Sequence, residues 1–261
     1  MLWRKNWQIK MRNYVQRLCE CKLGKFFIKY HIFYLILPIA LWGFKALSYN
    51  IAIWIDPPTR YFHFTIDDKI PFIKYFFVFY FSYYFVPPIF LWILSFYDKE
   101  KVIKILLSLF VCVCISFIFY CNFNVVMKRE YGYPNGITFT DIKDISTFFD
   151  FCINWIYKKD LEAMNCFPSL HAIVGMCLVS IGAYIPKLDK KGLPKAFRII
   201  SIIIGIGCIL STIFIKQHYF IDMIAGVILE VVSLGSLYIA FELYAKTKRK
   251  SGSCKEKGEE V

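Results

Sequence analysis

Long, uninterrupted runs of apolar side chains are the feature that most restricts what this chain can fold into. Leu, Ile, Val and Phe come in continuous blocks, and 58% of the 261 residues are hydrophobic. A helix needs about 20 mostly apolar residues to cross a bilayer. Lipid admits only helices or closed barrels, because every backbone polar group must be paired within the protein. Since the runs are continuous rather than alternating, we expect an all-α polytopic membrane protein.

The runs predict about six transmembrane helices. Pro38 and Lys45 lie inside the first of them and make it the least regular. Pro87 and Pro88 should kink the second, because proline lacks the backbone donor and clashes with the preceding turn. The predicted spans are 31–49, 71–96, 102–126, 168–186, 197–215 and 219–243.

Basic residues lie at one end of these spans. The net charge is +13, and residues 1–29 hold eight Lys or Arg against one Glu. The segment between the fourth and fifth spans and the carboxy-terminal tail are also basic. The positive-inside rule makes these segments cytoplasmic, so both termini face the cytoplasm and the 127–167 loop faces outward.

The charge pattern also predicts how the chain is organised. Residues 1–29 form a basic amphipathic segment of the kind that lies in a membrane interface. A six-helix catalytic domain follows at 30–245, and a basic tail at 246–261. The expected location is the cell membrane, with the site on its outer side.

The basic residues favour anionic lipid as the partner, not nucleic acid. They lie beside the spans, where lipid head groups attract them, and no aromatic-basic binding module occurs. The ten cysteines lack the paired spacing of zinc or thiol redox sites. The cysteines therefore predict neither a zinc site nor a thiol redox site.

The loop at 127–167 contains one further helical pattern. Ile142, Ile145, Phe149, Ile153 and Ile156 recur at helical spacing. This predicts a helix in the outer interface that covers a pocket.

Two of the four histidines fall at helix starts on the predicted outer face. His171 begins the fourth span in the segment "CFPSLH", and His218 precedes the sixth in "KQHYFID". His218 and Asp222 are four residues apart, so on a helix they share one face. A carboxylate there fixes the imidazole tautomer, as a nucleophilic or basic histidine requires.

Groups that bind anions accompany the histidines. Ser169 stands at a helix start, where backbone donors favour an anion. Lys216 adds a positive charge, and Arg129 offers a planar fork that suits phosphate oxygens. Together they suggest phosphoryl transfer, in which one histidine attacks phosphorus and the other protonates the leaving oxygen.

Each of these residues also has a structural interpretation. Ser169 is a standard helix cap, and a single interfacial histidine is more often structural than catalytic. Arg129 and Lys128 serve equally well as interface anchors. Glu230, deep in the sixth span, is a functional candidate by default, but the sequence suggests no role for it.

The joint pattern resembles the type 2 phosphatidic acid phosphatase superfamily, which includes the vanadium haloperoxidases. Its second signature, Pro-Ser-Gly-His, is similar to the segment from Pro168 to His171, with Leu170 in place of glycine. Its third signature is Ser-Arg, five residues, His, three residues, Asp. Ser211, His218 and Asp222 match it, with Thr212 in place of arginine.

The first signature is less well preserved. It reads Lys, six residues, Arg, Pro, and aligning its arginine on Arg129 places Asn122 at the lysine and Glu130 at the proline. Lys128 is then a substitute for the missing lysine. The Leu170 variant and the "KQHY" segment resemble the branch of inositol phosphotransferases and inositol phosphorylceramide synthases.

The resemblance implies a metal-independent phosphatase or phosphotransferase, so we expect no metal and no cofactor. His218 would be the nucleophile that forms a phosphohistidine, Asp222 would orient it, and His171 would be the general acid and then the base. The phosphate-binding residues implied are Arg129, Ser169, Lys216, Ser211 and Lys128.

Three functions remain open from the sequence. The first is hydrolysis of a lipid phosphate such as phosphatidate or an isoprenyl phosphate or pyrophosphate. The second is transfer of a head-group phosphate to an alcohol such as inositol. The third is lipid-phosphate binding without chemistry, which the altered first signature favours.

Overall fold

Every regular element that the computed structural model describes is a helix. The structure describes residues 28–57, 59–127, 147–159, 163–183 and 192–256. The membrane-length and shorter helices are, in chain order, α1 (Phe33–Ile55), α2 (Thr65–Lys69), α3 (Phe77–Ser82), α4 (Val86–Ser95), α5 (Lys99–Asn122), α6 (Phe148–Lys159), α7 (Leu170–Gly182), α8 (Lys195–Phe214) and α9 (Phe220–Glu256). A 3₁₀ turn, Lys74–Phe76, leads into α3. Residues 1–27, Lys128, Arg129 and Glu130 lie outside the described residues, as do Ile142 and Ile145.

Within the described ranges, four helices are long and apolar enough to cross a membrane. They are α1, α5, α8 and the Phe220–Thr247 part of α9. A fifth span results if Lys74–Ser82 and Val86–Ser95, which are bent by 43°, count as one. The remaining predicted span corresponds to α7, which has 13 residues and is shorter than a bilayer crossing needs. The chain is thus a multi-pass membrane protein that is all-helical over its described residues, where four or five helices reach spanning length and six spans were predicted.

The prolines of the second predicted span lie where the helix restarts. Pro87 and Pro88 occupy the first turn of α4, directly after the break that separates α3 from α4. Proline is tolerated there because the first N–H groups of a helix have no intrahelical partner. The predicted kink is confirmed.

Helix α7 lies at the centre of the bundle and packs most extensively against α8. It also contacts α4, α5 and α9. The backbones of α7 and α8 meet at glycines. A Cβ built on Gly175 would lie 2.7 Å from the carbonyl oxygen of Gly205, and a Cβ built on Gly205 would lie 2.6 Å from the carbonyl oxygen of Gly175. Small residues are what allow membrane helices to approach this closely.

The helix predicted in the 127–167 loop exists as α6. Its Ile153 and Ile156 are buried against Phe77 and Tyr80 of α3. The hydroxyl of Tyr157 donates a hydrogen bond to the carbonyl of Ile215, in the turn between α8 and α9. Helix α6 therefore helps to fix that turn.

Candidate active site

A cavity of about 460 Å³ lies at the end of the bundle where α7 and α9 begin. Its wall combines aromatic rings and primary amides with one lysine and two histidines. The lining residues are Trp42, Lys45, Ala46, Tyr49, Asn50, Tyr80, Tyr84, Tyr120, Met164, Asn165, Leu170, His171, Gln217 and His218. Aromatic faces and amides in one concave wall form a surface that suits polar organic ligands.

The structure brings the two predicted histidines together. His171 lies in the first turn of α7, and His218 lies in the turn before α9. Their ring centroids are 5.7 Å apart. Both rings line the cavity, so a single ligand can contact both.

A backbone carbonyl holds the ring of His218. Its Nδ1 lies 3.0 Å from the carbonyl oxygen of Cys166. Because a carbonyl only accepts, Nδ1 must carry the proton in this hydrogen bond, and in the neutral ring Nε2 then has the lone pair. This is the tautomer that a nucleophilic histidine needs.

Asp222 lies behind this hydrogen bond. Its Oδ2 is 3.8 Å from Nδ1 of His218, which is ion-pair range and too long for a hydrogen bond. The same oxygen accepts the backbone N–H of Tyr219 at 2.9 Å, as the third residue of a helix commonly does. Oδ1 is buried without a hydrogen-bond partner among the described residues. Asp222 thus lies close to the ring of His218 and fixes the start of α9.

Two tyrosine rings pack against His171. Tyr80 stacks on it with centroids 4.2 Å apart, and Tyr83 lies at 4.1 Å. The ring is only 8% exposed. Its Nε2 has no hydrogen-bond partner in the described part of the chain. The ring that lines the cavity therefore keeps one buried nitrogen without a hydrogen bond among the described residues.

Ser169 connects the starts of α7 and α9. Its backbone N–H donates to the carbonyl of Asp222 at 3.0 Å. Its Oγ accepts the N–H of Ala172 at 3.3 Å, which makes it the N-cap of α7. Ser169 therefore fills the structural role of a cap and sets the position of His171 relative to Asp222.

Ser211 and Thr212 face their own helix. The hydroxyl of Ser211 donates to the carbonyl of Cys208, and that of Thr212 to the carbonyl of Ile209, both at 2.7 Å. Neither side chain lines the cavity. The carbonyl of Thr212 accepts the N–H of His218 at 3.0 Å, so the end of α8 helps to hold the histidine.

Lys216 holds the His218 turn in place. Its ammonium donates to the carbonyls of Asp67 and Ile70, at 3.1 and 2.6 Å, and its side chain is absent from the cavity wall. Asp67 in turn accepts the N–H of Phe220 at 2.8 Å. Burial lowers the pKa of Lys216, and the carboxylates of Asp67 and Asp68 partly offset this. Helix α2 therefore braces the turn from one side while α6 braces it from the other.

Glu230 is buried away from the cavity. It accepts hydrogen bonds from Ser108 at 2.9 Å, Cys112 at 3.3 Å and Cys177 at 3.2 Å. These donors lie on α5 and α7, so Glu230 connects three helices. Its contacts are those of a structural polar group.

One group of described residues has metal-ligand spacing. The ligand atoms of Cys166, His218 and Asp222 lie within 4.8 Å of one another. A cation bound there through Nδ1 would displace the proton that His218 donates to Cys166. The arrangement that favours a nucleophilic histidine is therefore the one without a metal.

Sequence reasoning missed several residues of the site. Lys45 lies in α1 and Asp67 lies in α2. Tyr80 lies in α3, and Tyr83 lies in the break after it. Of these four residues, only Lys45 could have been identified from the sequence, because a charged residue inside an apolar span is a functional candidate by default. Arg129 and Lys128 lie outside the described residues, so their placement stays a prediction.

Comparison with known protein families gives a match over most of the chain. The family model described as the PAP2 superfamily matches residues 47–236, more than half of the chain. No curated protein and no solved structure matches the chain. The matched region includes His171, His218 and Asp222. The chain therefore belongs to the PAP2 superfamily.

Proposed function

We propose that this chain is a lipid phosphate phosphatase that works through a phosphohistidine on His218. Members of the superfamily are generally phosphatases or phosphotransferases. The observation that carries the proposal is the pair of histidines at one cavity, His218 with Nδ1 committed to a carbonyl and His171 with Nε2 unpartnered among the described residues. Phosphatidate and isoprenyl phosphates or pyrophosphates are the substrate classes proposed.

The first step forms a bond between Nε2 of His218 and phosphorus and breaks the bond between phosphorus and the leaving oxygen. His171 enters this step protonated and gives its proton to the departing lipid alcohol. Asp222 stabilises the positive charge that develops on the ring of His218. Charge stabilisation of this kind is usually the largest single contribution to such a reaction.

The second step releases the phosphate. His171, now neutral, removes a proton from water as its oxygen attacks phosphorus. The phosphorus–nitrogen bond breaks, and its electrons return to His218. The products are the lipid alcohol and inorganic phosphate, and both histidines regain their starting states.

A second candidate function is transfer of the phosphate to another alcohol. The cavity wall carries three primary amides, Asn50, Asn165 and Gln217, beside aromatic rings. Amides bind hydroxyl groups in both directions, as donors and as acceptors. A polyol such as inositol would then take the place of water in the second step.

Phosphate release from defined lipids by the purified chain, with a chelator present, tests the proposal. We expect turnover without added metal, loss of turnover in His218→Ala, and acid-labile phosphate trapped on His218 after a quench. His31→Ala is the matched control, because His31 stacks on Phe96 next to Ser95, away from the cavity. A requirement for divalent metal, or activity that survives in His218→Ala, would contradict the mechanism.

Adding candidate alcohols to the same assay separates the two functions. Formation of a new phosphorylated product at the expense of free phosphate supports the transferase. A protein that binds lipid phosphate but traps none on His218 would instead be a non-catalytic binding protein.

A further inference from the structure

The orientation of His218 depends on a short non-helical segment, residues 163–166, between α6 and α7. The carbonyl oxygen of Cys166 in this segment accepts the proton on Nδ1 of His218 at 3.0 Å. Two residues of the segment have backbone angles that non-glycine residues rarely adopt, with φ of 40° at Ala163 and 54° at Asn165. A backbone in this region persists only where surrounding contacts hold it.

The chain that follows α5 supplies contacts that hold this segment. The N–H of Cys166 donates to the carbonyl of Val125 at 3.0 Å. The N–H of the preceding residue, Asn165, donates to the side-chain Oδ1 of Asn124 at 3.1 Å. Asn124 therefore holds the backbone next to the carbonyl that orients His218.

Asn124 is in turn fixed to the end of α1. It is fully buried. Its Nδ2 donates to the carbonyl oxygen of Asp56, and its backbone N–H donates to the carboxylate of Asp56, both at 2.9 Å. The same carboxylate pairs with Arg60 at 2.7 Å. The N–H of Asn124 and then Arg60 lower the pKa of Asp56, so the carboxylate stays ionised at neutral pH.

The contacts of Asn124 require an amide side chain. One oxygen accepts from Asn165 while the adjacent nitrogen donates to Asp56. A carboxylate only accepts, and an aliphatic side chain does neither. A series of hydrogen-bonded residues therefore runs from the end of α1 through Asn124 to the segment that holds His218.

We propose that Asn124 is a positioning residue for His218: it holds the backbone at Asn165, so that the carbonyl of Cys166 keeps the proton on Nδ1 and the lone pair on Nε2. Asn124 lies outside the cavity wall, so it acts through the backbone and does not touch the substrate. This inference rests on the proposed function for the role of His218 as nucleophile. The tautomer of the ring can be measured without turnover, which tests the inference separately from activity.

NMR of the ring nitrogens in histidine-labelled, full-length protein in detergent is the direct test, recorded at alkaline pH where imidazole is neutral. The spectrum of His218→Asn identifies the signals of this ring. We expect the wild type to show a protonated Nδ1 and an unprotonated Nε2. Asn124→Ala should lose this single state and show both tautomers, because the carbonyl of Cys166 is no longer fixed.

Ser201→Ala is the matched control. The hydroxyl of Ser201 donates to the carbonyl of Leu178 at 2.6 Å, in a buried hydrogen bond between α8 and α7. Neither residue lines the cavity. The loss of this hydrogen bond should leave the signals of His218 unchanged.

Kinetics and a second variant complete the test. In the lipid assay we expect Asn124→Ala to lower kcat about 10- to 100-fold, the range known for residues that orient metal-bound histidines, with little change in KM. If Asn124→Ala fails to fold, Asn124→Ser, whose hydroxyl is too short to reach both partners, decides the same question. The wild-type tautomer in a folded variant would overturn the proposal, even if the wild-type enzyme hydrolyses lipid. A tautomer that depends on Asn124 in a protein without turnover would keep the positioning role and reject the proposed function.

Discussion

Cys166 contributes to the site through its backbone, because its carbonyl oxygen accepts the proton on Nδ1 of His218. The thiol of Cys166 donates to other carbonyls, those of Ala163 and Gln217. The hydrogen bond that selects the tautomer of His218 thus depends on the path of the chain between α6 and α7. A substitution that displaces this segment should therefore disturb the hydrogen bond of His218, even if it changes no side chain that lines the cavity.

The role proposed for His171 predicts a dependence on the leaving group. His171→Asn should slow hydrolysis of an alkyl phosphate about 100- to 10,000-fold, because the alkoxide then leaves without a proton. The loss should be much smaller for 4-nitrophenyl phosphate, whose phenolate leaves unprotonated. Rates of both substrates, measured for the wild type and the variant, give the comparison. Equal losses for the two substrates would exclude His171 as the general acid.

The sequence was informative for residues that local spacing places together. His171 lies in the first turn of its helix, as predicted. His218 lies in the turn before α9 and not on the helix, but a separation of four residues still leaves its Nδ1 3.8 Å from Oδ2 of Asp222. Lys45 lies in α1 and Tyr83 lies 38 residues away in the break after α3, so no local pattern joins them. The same holds for Asp67, whose side chain accepts from Phe220 across 153 positions.

At the scale of elements, the packing of α9 against the start of α7 leaves no room for a side chain at one position. A Cβ on Gly226 would lie 2.4 Å from the carbonyl oxygen of Ser169, which is backbone and cannot give way cheaply. We expect Gly226→Ala to destabilise the protein by about 1–3 kcal/mol and to lower activity, because it separates the two helix starts.

Gly235 is the control for this prediction. It lies on the same helix, and nothing lies within 4 Å of a Cβ built on it. Gly235→Ala should be neutral or stabilising by up to about 1 kcal/mol, because alanine favours helix. Thermal unfolding in detergent compares the two variants. If both variants changed the unfolding temperature equally, the contact with Ser169 would not explain the effect of Gly226→Ala.

The attachment of α6 should weaken in acid. The carboxylate of Asp150 accepts from Lys74 at 2.7 Å and from Thr147, and these hydrogen bonds lower its pKa from 3.8 to about 2. A carboxylate whose pKa is lower in the folded state stabilises it above pH 4, and this contribution is lost as the pH falls towards 2. The difference in thermal stability between the wild type and Asp150→Asn should therefore shrink over this range. A constant difference from pH 5 to pH 2 would contradict the pairing with Lys74.

Apolar runs predicted most of the membrane helices, and the two prolines predicted the break before α4. Both can be predicted because a short stretch of sequence contains the whole signal. These patterns did not predict the short helix α2. Its five residues carry two aspartates and no apolar run, and its position depends on long-range contacts with Lys216 and Phe220. The length of α7 was overestimated for a related reason: an apolar sequence does not distinguish a spanning helix from a shorter helix buried among others.

At the scale of the whole molecule, the distribution of charge predicts the orientation in the membrane. The basic tail should be cytoplasmic, and α9 has a single apolar stretch, Phe220–Thr247, long enough to cross once. His218, which precedes α9, would then face the outer side. In a bacterial host, green fluorescent protein fused to the carboxy terminus should fluoresce, and alkaline phosphatase fused there should be inactive. The opposite pair of results would place the cavity on the cytoplasmic side.

The hydrogen bond from the N–H of Ser169 to the carbonyl of Asp222 has a consequence for measurement. This amide proton belongs to a fully buried residue and is held by a different helix, so it exchanges with solvent only when the starts of α7 and α9 separate. Its exchange rate with deuterium is therefore a spectroscopic probe of whether the cavity end of the bundle is assembled. It can be recorded without a substrate, and before any substrate has been identified.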